Sequence, residues 1–158
     1  MMLLVEHREL TADAHATGRE LLAELYRKAT GTDMPAICIG PRGKPYFEND
    51  SLHFSITHTR HHVFCALSDK PVGIDAEELD RDIRLQLADK ILSAEEKKRF
   101  EAAEDPRMTL LRLWVLKEAQ GKLTGEGING YPDHTDFSPD DPRITTQNGC
   151  LLAVITEE

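Results

Sequence analysis

Two short stretches of this chain hold residues that could do chemistry together. Trp114–Val115–Leu116–Lys117–Glu118–Ala119–Gln120–Gly121–Lys122 reads as helix, which sets the Glu118 carboxylate and the Lys122 amine four residues apart on one face. Val72–Gly73–Ile74–Asp75–Ala76–Glu77 reads as a short apolar strand, so Asp75 and Glu77, two apart, point to the same side. Three carboxylates and an amine that converge make a site for a hard cation and a phosphate. That is the equipment of phosphoryl-type chemistry.

Each residue also has a plainer explanation. An isolated D-x-E is most often two solvated charges at the end of a strand. Here Gly73 removes a side chain just where another backbone or a ligand could approach closely. A Glu-to-Lys pair on a helix surface stabilises it by a few tenths of a kcal/mol and needs no other role. Trp114, four residues before Glu118, shares that face, and a purely solvated face rarely holds a tryptophan. Lys117 beside them offers a second amine. His58 closes a strand next to the Thr57 hydroxyl and could donate to a phosphate. With His61 and His62 it could suggest zinc, but no cysteine or carboxylate falls at the usual ligand spacing. Gly43–Lys44–Pro45 is a turn that offers one lysine on a restrained backbone. Glu96 fits a capping box with Ser93, which already explains it structurally.

The elements that must position these residues follow from periodicity and punctuation. From about Thr11 to Thr30 the spacing predicts a helix, with Leu21, Leu22 and Leu25 on one face and Gly31 at its end. Ala36–Gly40 reads as a brief strand, followed by a turn through Pro41, Gly43 and Pro45. Leu52–Thr57 and Val63–Ser68 read as strands joined by the polar His58–His62 segment, and Val72–Ala76 as a third. Helices follow: Arg84–Ile91, one opened by Ser93, and a long one capped at Asp105–Pro106 that runs to about Thr124. Gly130 to Asn148 reads as loop with short strands, and Leu151–Ile155 as a terminal strand. The fold class is α+β.

Composition sets the boundaries. At 158 residues, with 40% hydrophobic and 30% charged residues, the chain suits one compact unit. A formal net charge of −9 argues against a nucleic-acid-binding surface, which would be basic. No run approaches the roughly 18 apolar residues of a membrane span, and Met1–Val5 is too short for a signal peptide. Cys38, Cys65 and Cys150 are odd in number and far apart, which reads as reduced and buried and points to the cytoplasm.

Taken in order, Gly43–Lys44–Pro45, Phe54-x-x-Thr57–His58, Val72–Gly73–Ile74–Asp75-x-Glu77 and Trp114-x-x-Lys117–Glu118–Ala119-x-x-Lys122 resemble the motif series of the 4′-phosphopantetheinyl transferases. The likeness runs from about Gly43 to Ile128. It is to the surfactin-synthetase type rather than the short trimeric holo-acyl-carrier-protein synthase type. The resemblance implies two similar small α+β halves packed as an intramolecular pseudo-dimer, residues 1–71 and 72–158, in a monomer. It implies transfer of the phosphopantetheine arm of coenzyme A to a serine of an apo carrier protein, releasing adenosine 3′,5′-bisphosphate. By the same likeness Asp75, Glu77 and Glu118 would bind magnesium. Lys122 would assist at the phosphate, and Lys44, Pro45, Thr57, His58 and Lys117 would hold coenzyme A. Glu118 or Glu96 would activate the serine, with Glu118 favoured because Glu96 has a structural role to fill. The basic residues that usually grip the 3′-phosphate are harder to place, with Arg8, Arg42 and Arg60 as candidates by charge. Gly121 inside the catalytic helix, at a cost near 1 kcal/mol, raises the alternative of a catalytically impaired coenzyme A- or carrier-binding module.

Overall fold

A computed structural model describes residues 1–127 and 136–157. Residues 128–135, which include the first six of the expected Gly130–Asn148 loop, and residue 158 lie outside the described residues. The first half opens with β1 (Leu3–Glu9) and α1 (Ala14–Thr30), then β2 (Ile37–Ile39), β3 (Pro45–Phe47), β4 (His53–His58) and β5 (His62–Ser68). The second half runs through β6 (Val72–Glu78), α2 (Ala88–Ile91), α3 (Ala94–Ala102), α4 (Pro106–Thr124), β7 (Ile144–Gln147) and β8 (Cys150–Thr156). The α+β class holds. No helix among the described residues is long and apolar enough to cross a membrane.

Among the described residues, β1, β5 and β4 form one antiparallel sheet in that order, and β6, β8 and β7 form another; β2 and β3 make a separate hairpin. Both larger sheets are built alike. A first strand (β1 or β6) leads to a long helix (α1 or α4), and the last strand returns between the other two.

The termini of these elements follow from local chemistry. α1 starts at Ala14 rather than Thr11 because the Asp13 carboxylate accepts the Ala16 N–H at 2.8 Å. Its Leu21, Leu22 and Leu25 pack with Phe54, Val63, Cys65 and Leu67 of the first sheet. A fully buried leucine contributes roughly 1.5–3 kcal/mol. α4 is capped by the Asp105 carboxylate on the Met108 N–H, with Pro106 at its first position. The helix expected over Arg84–Ile91 is instead a 3-10 turn, Leu85–Leu87, followed by the single turn of α2. No side chain caps Arg84, and the backbone is extended again at Leu92. At Ser93 a complete capping box restarts the chain as α3: the Ser93 hydroxyl accepts the Glu96 N–H and the Glu96 carboxylate accepts the Ser93 N–H.

The halves meet through an apolar cluster of Phe64, Ala66, Val72, Ile74, Ala76, Cys150 and Leu152. There the Ile74 N–H of β6 donates to Ser55 Oγ of β4 at 3.1 Å. α4 lies against β6 so closely that a Cβ built on Gly73 would sit 1.9 Å from the Ala119 carbonyl oxygen and 2.6 Å from the Leu123 nitrogen. The close approach expected at Gly73 is therefore that of a helix backbone. Cys65 and Cys150 are buried and Cys38 is half-buried, all as free thiols.

Candidate functional site

A cleft of about 410 Å³ opens where the halves join. Lys44 and Pro45 form one wall, His58 on β4 another, and Glu118 and Lys122 on α4 a third. Lys122 Nζ sits 3.4 Å from both the Ile56 carbonyl of β4 and Asp75 Oδ1 of β6. Lys44 Nζ donates to the Leu123 carbonyl at 2.6 Å, satisfying an oxygen in the last turn of α4. Burial pulls the Lys44 amine below the usual lysine range, with Glu157 opposing.

Asp75 is the most constrained group. Its Oδ1 accepts from Thr57 Oγ1 at 3.2 Å and lies near Lys122, while its buried Oδ2 has no hydrogen-bond partner among the described residues. Desolvation pushes its carboxyl up to about 7; Lys122 opposes this, and the neighbouring Glu77 and Glu118 charges add to it. Glu118 is also raised, chiefly by burial, with Lys122 and Arg81 opposing and Glu77 reinforcing. The Glu77 and Glu118 charges thus act on Asp75, and the Glu77 charge acts on Glu118. Glu77, however, is already engaged: its Oε1 accepts from Trp114 Nε1 at 2.9 Å and pairs with Arg81 at 2.6 Å. Among the described residues no three acidic, histidine or cysteine side chains are arranged to hold an ion as they stand. The donor chemistry nevertheless fits magnesium, which takes oxygen ligands and is usually held by one or two carboxylates with substrate phosphates completing its shell. A buried carboxylate oxygen without a partner is what such an ion would satisfy.

Two expected site residues lie elsewhere. Lys117 points away from the cleft, fully buried in an ion pair of 2.7 Å with Glu96 and 5.6 Å from the centre of the Phe137 ring. It lies on the core side of α4 and does not line the cleft. Glu96 is equally buried: Oε1 serves Ser93 and Lys117, and Oε2 accepts the Phe137 N–H at 2.8 Å. Both of its oxygens are occupied structurally, so it does not stand beside Asp75 as a base. Thr57 is buried and spends its hydroxyl on Asp75 rather than facing the cleft.

Of the candidate basic residues, Arg42 lines the cleft and pairs with Glu126 at 2.7 Å. Arg8 pairs with Glu24 of α1 and does not line the cleft, and Arg60 borders a separate cleft with Glu77 and Arg81. His15 and Arg19 of α1 do line the site, and sequence reasoning missed them. Their signal was the four-residue spacing that puts both on one helix face. Gly121 also needs correcting. A Cβ there would come 2.6 Å from the Gly127 carbonyl group, so the glycine lets the following turn fold back over α4. It is no sign of a degraded helix.

A family model described as the 4′-phosphopantetheinyl transferase superfamily matches residues 71–153. The chain belongs to that superfamily. A 4′-phosphopantetheinyl transferase of Bacillus subtilis is 32% identical over 130 residues, which is 78% of this chain and 56% of the relative. One from Bacillus pumilus is 40% identical over 90 residues, 55% of this chain and 38% of the relative. One from Aneurinibacillus migulanus is 33% identical over 88 residues, 54% and 36% respectively. The chain thus spans about half or less of the length of these transferases. Their likeness is of the surfactin-synthetase type. Within the superfamily match lie Asp75, Glu77, Glu96, Lys117, Glu118 and Lys122, whereas Lys44, Pro45, Thr57 and His58 precede it.

Proposed function

We propose that this chain transfers the 4′-phosphopantetheine arm of coenzyme A to a serine hydroxyl of an apo carrier protein, with magnesium, and releases adenosine 3′,5′-bisphosphate. The observation that carries the reading is the unpartnered Asp75 oxygen at the junction, beside a cleft whose walls bring Lys44 and His58 together with Glu118 and Lys122. Residues 1–71 would supply the phosphate contacts and residues 72–158 the carboxylates, as a pseudo-dimer acting as a monomer. The matching build of the two sheets supports that division. The free cysteines suit a cytoplasmic setting.

The chemistry assigns roles to the residues present. Asp75 and Glu118, with Glu77, would hold magnesium; when bound, the ion neutralises charge on the diphosphate oxygens. The serine oxygen attacks the phosphorus of the diphosphate that bears the pantetheine arm. A serine O–P bond forms, the bridging P–O bond breaks, and the leaving phosphate carries away the electron pair. Because this transition state spreads negative charge over oxygen, the protein's task is positioning and neutralisation. Glu118, which lines the cleft one turn before Lys122, would accept the serine proton. Lys122 lies one turn further along α4 and offsets charge on the departing phosphate, as His58 does from the opposite wall. Lys44, with Arg19 and Arg42, offers cations for the remaining phosphates.

Purified chain, coenzyme A, magnesium and an apo carrier should yield a carrier heavier by one phosphopantetheine group in intact-protein mass spectrometry. Unmodified carriers of the fatty-acid, polyketide and peptide-synthetase classes alike would overturn the proposal.

A further inference from the structure

Arg81 is a cation that sits where the cluster of carboxylates needs one. A short turn, in which the Arg81 N–H donates to the Glu78 carbonyl at 2.9 Å, brings the side chain back over its own strand. Arg107 holds the Arg81 carbonyl at 3.0 Å. The guanidinium then pairs with Glu77 Oε1 at 2.6 Å and lies 5.5 Å from the centre of the Trp114 ring. Trp114 donates to the same oxygen, so Oε1 of Glu77 carries two donors. Arg81 is 39% exposed and Glu77 17%, so solvent can take up the guanidinium once it leaves. The positive charge of Arg81 is also felt at Glu118.

We infer that Arg81 is a resident counter-ion that competes with a divalent cation for Glu77, and so sets the cation affinity of the site as a positioning residue acting through Glu77. The inference rests on the divalent-cation reading above. While Arg81 holds Oε1, that oxygen faces two N–H donors and cannot also face a metal. An ion on the second Glu77 oxygen would meet the guanidinium charge across the same carboxylate, and an ion on Oε1 would need the guanidinium to leave Glu77 and the indole ring. The pair therefore weakens cation binding by whatever stability it has, which for a partly exposed ion pair is modest.

The test is titration of the full chain, without coenzyme A, with magnesium chloride, followed by calorimetry and by fluorescence of Trp114, the chain's single tryptophan. In the unmodified protein Trp114 emission should change with the same midpoint as the heat, because Arg81 leaves its ring. Arg81→Gln should bind magnesium about three- to tenfold more tightly, with the difference shrinking at high salt, and Arg81→Lys should bind nearly as weakly as the parent. Magnesium binding without any change in Trp114 emission would overturn the inference in the unmodified chain, whatever the variants do. So would Arg81→Gln that binds equally or more weakly. Either result, in protein that still transfers the arm, leaves the transferase reading intact. No magnesium binding by parent or variant would overturn this inference, and only its absence with coenzyme A also present would sink both.

Discussion

Replacing Glu96 by alanine separates two roles that the sequence alone leaves open, serine activation and structural support. In the folded chain Glu96 is fully buried, and its loss would take one partner from the equally buried Lys117 ammonium. Breaking a buried ion pair from one side typically costs about 3–5 kcal/mol, because an uncompensated charge remains. The capping box at Ser93 would go as well, at about 1 kcal/mol, and the Phe137 N–H would lose its acceptor. Against the roughly 5–15 kcal/mol that holds a domain together, this loss is large. Urea unfolding followed by circular dichroism should therefore show Glu96→Ala strongly destabilised. The pair Glu96→Leu with Lys117→Met, which removes both charges and keeps the volume, should recover the part of the loss due to the broken ion pair, though not the Ser93 and Phe137 hydrogen bonds, and leave transfer at a substantial fraction of the parent's. The reasoning fails if Glu96→Ala loses under about 1 kcal/mol yet abolishes transfer, since Glu96 would then act in the reaction rather than in the core.

Three further expectations follow from individual contacts. Gly73→Ala should lower stability by about 1–3 kcal/mol or more, because the added methyl meets the backbone of α4 rather than a movable side chain; thermal unfolding unchanged from the parent would refute that contact. Asp75 has its folded-state carboxyl raised from 3.8 to about 7, so its contribution to cation-free stability is complete below 3.8 and is lost as pH rises through 7, by up to roughly 4 kcal/mol. Compared with Asp75→Asn, the parent in chelator should thus weaken across that window, and magnesium should restore it more at pH 8 than at pH 5; parallel pH profiles for the two would refute this. Arg19→Ala should weaken coenzyme A binding by about tenfold in calorimetry, and an unchanged affinity would remove α1 from the site.

The legible parts of this molecule were those governed by local rules. The capping box at Ser93 and the Asp105–Pro106 start of α4 follow from short-range hydrogen bonding, and both stand as expected. The two-residue spacing of Asp75 and Glu77 on β6 and the four-residue spacing of Glu118 and Lys122 on α4 are local in the same sense. The misses came where long-range packing decides. β1 was unannounced because its alternation of Leu, Glu, His and Arg is half-exposed, and it becomes a strand by pairing along its whole length with β5. Lys117 looked like a second amine for a ligand because helical spacing cannot tell which flank of α4 turns inward. Its buried position depends on Glu96, twenty-one residues earlier in the chain. His15 and Arg19 were missed because the packing of α1 on the first sheet, with Gly18 close against Ile56, brings them to the cleft.

The contacts at the junction argue that the chemistry belongs to neither half alone. Thr57 of β4 donates to Asp75 of β6, and Lys122 of α4 reaches the carbonyl of Ile56 in β4. Lys44, ahead of β3, closes the end of α4 through the Leu123 carbonyl. Each of these bonds joins a residue offered for phosphate contact or charge neutralisation to the opposite half. A shift of one half against the other by even an ångström would lengthen all three together. Changes in the apolar cluster beneath them, such as Ile74→Val, should therefore reduce transfer more than their expected loss of about 0.5–1.5 kcal/mol in stability would suggest, because positioning fails before folding does.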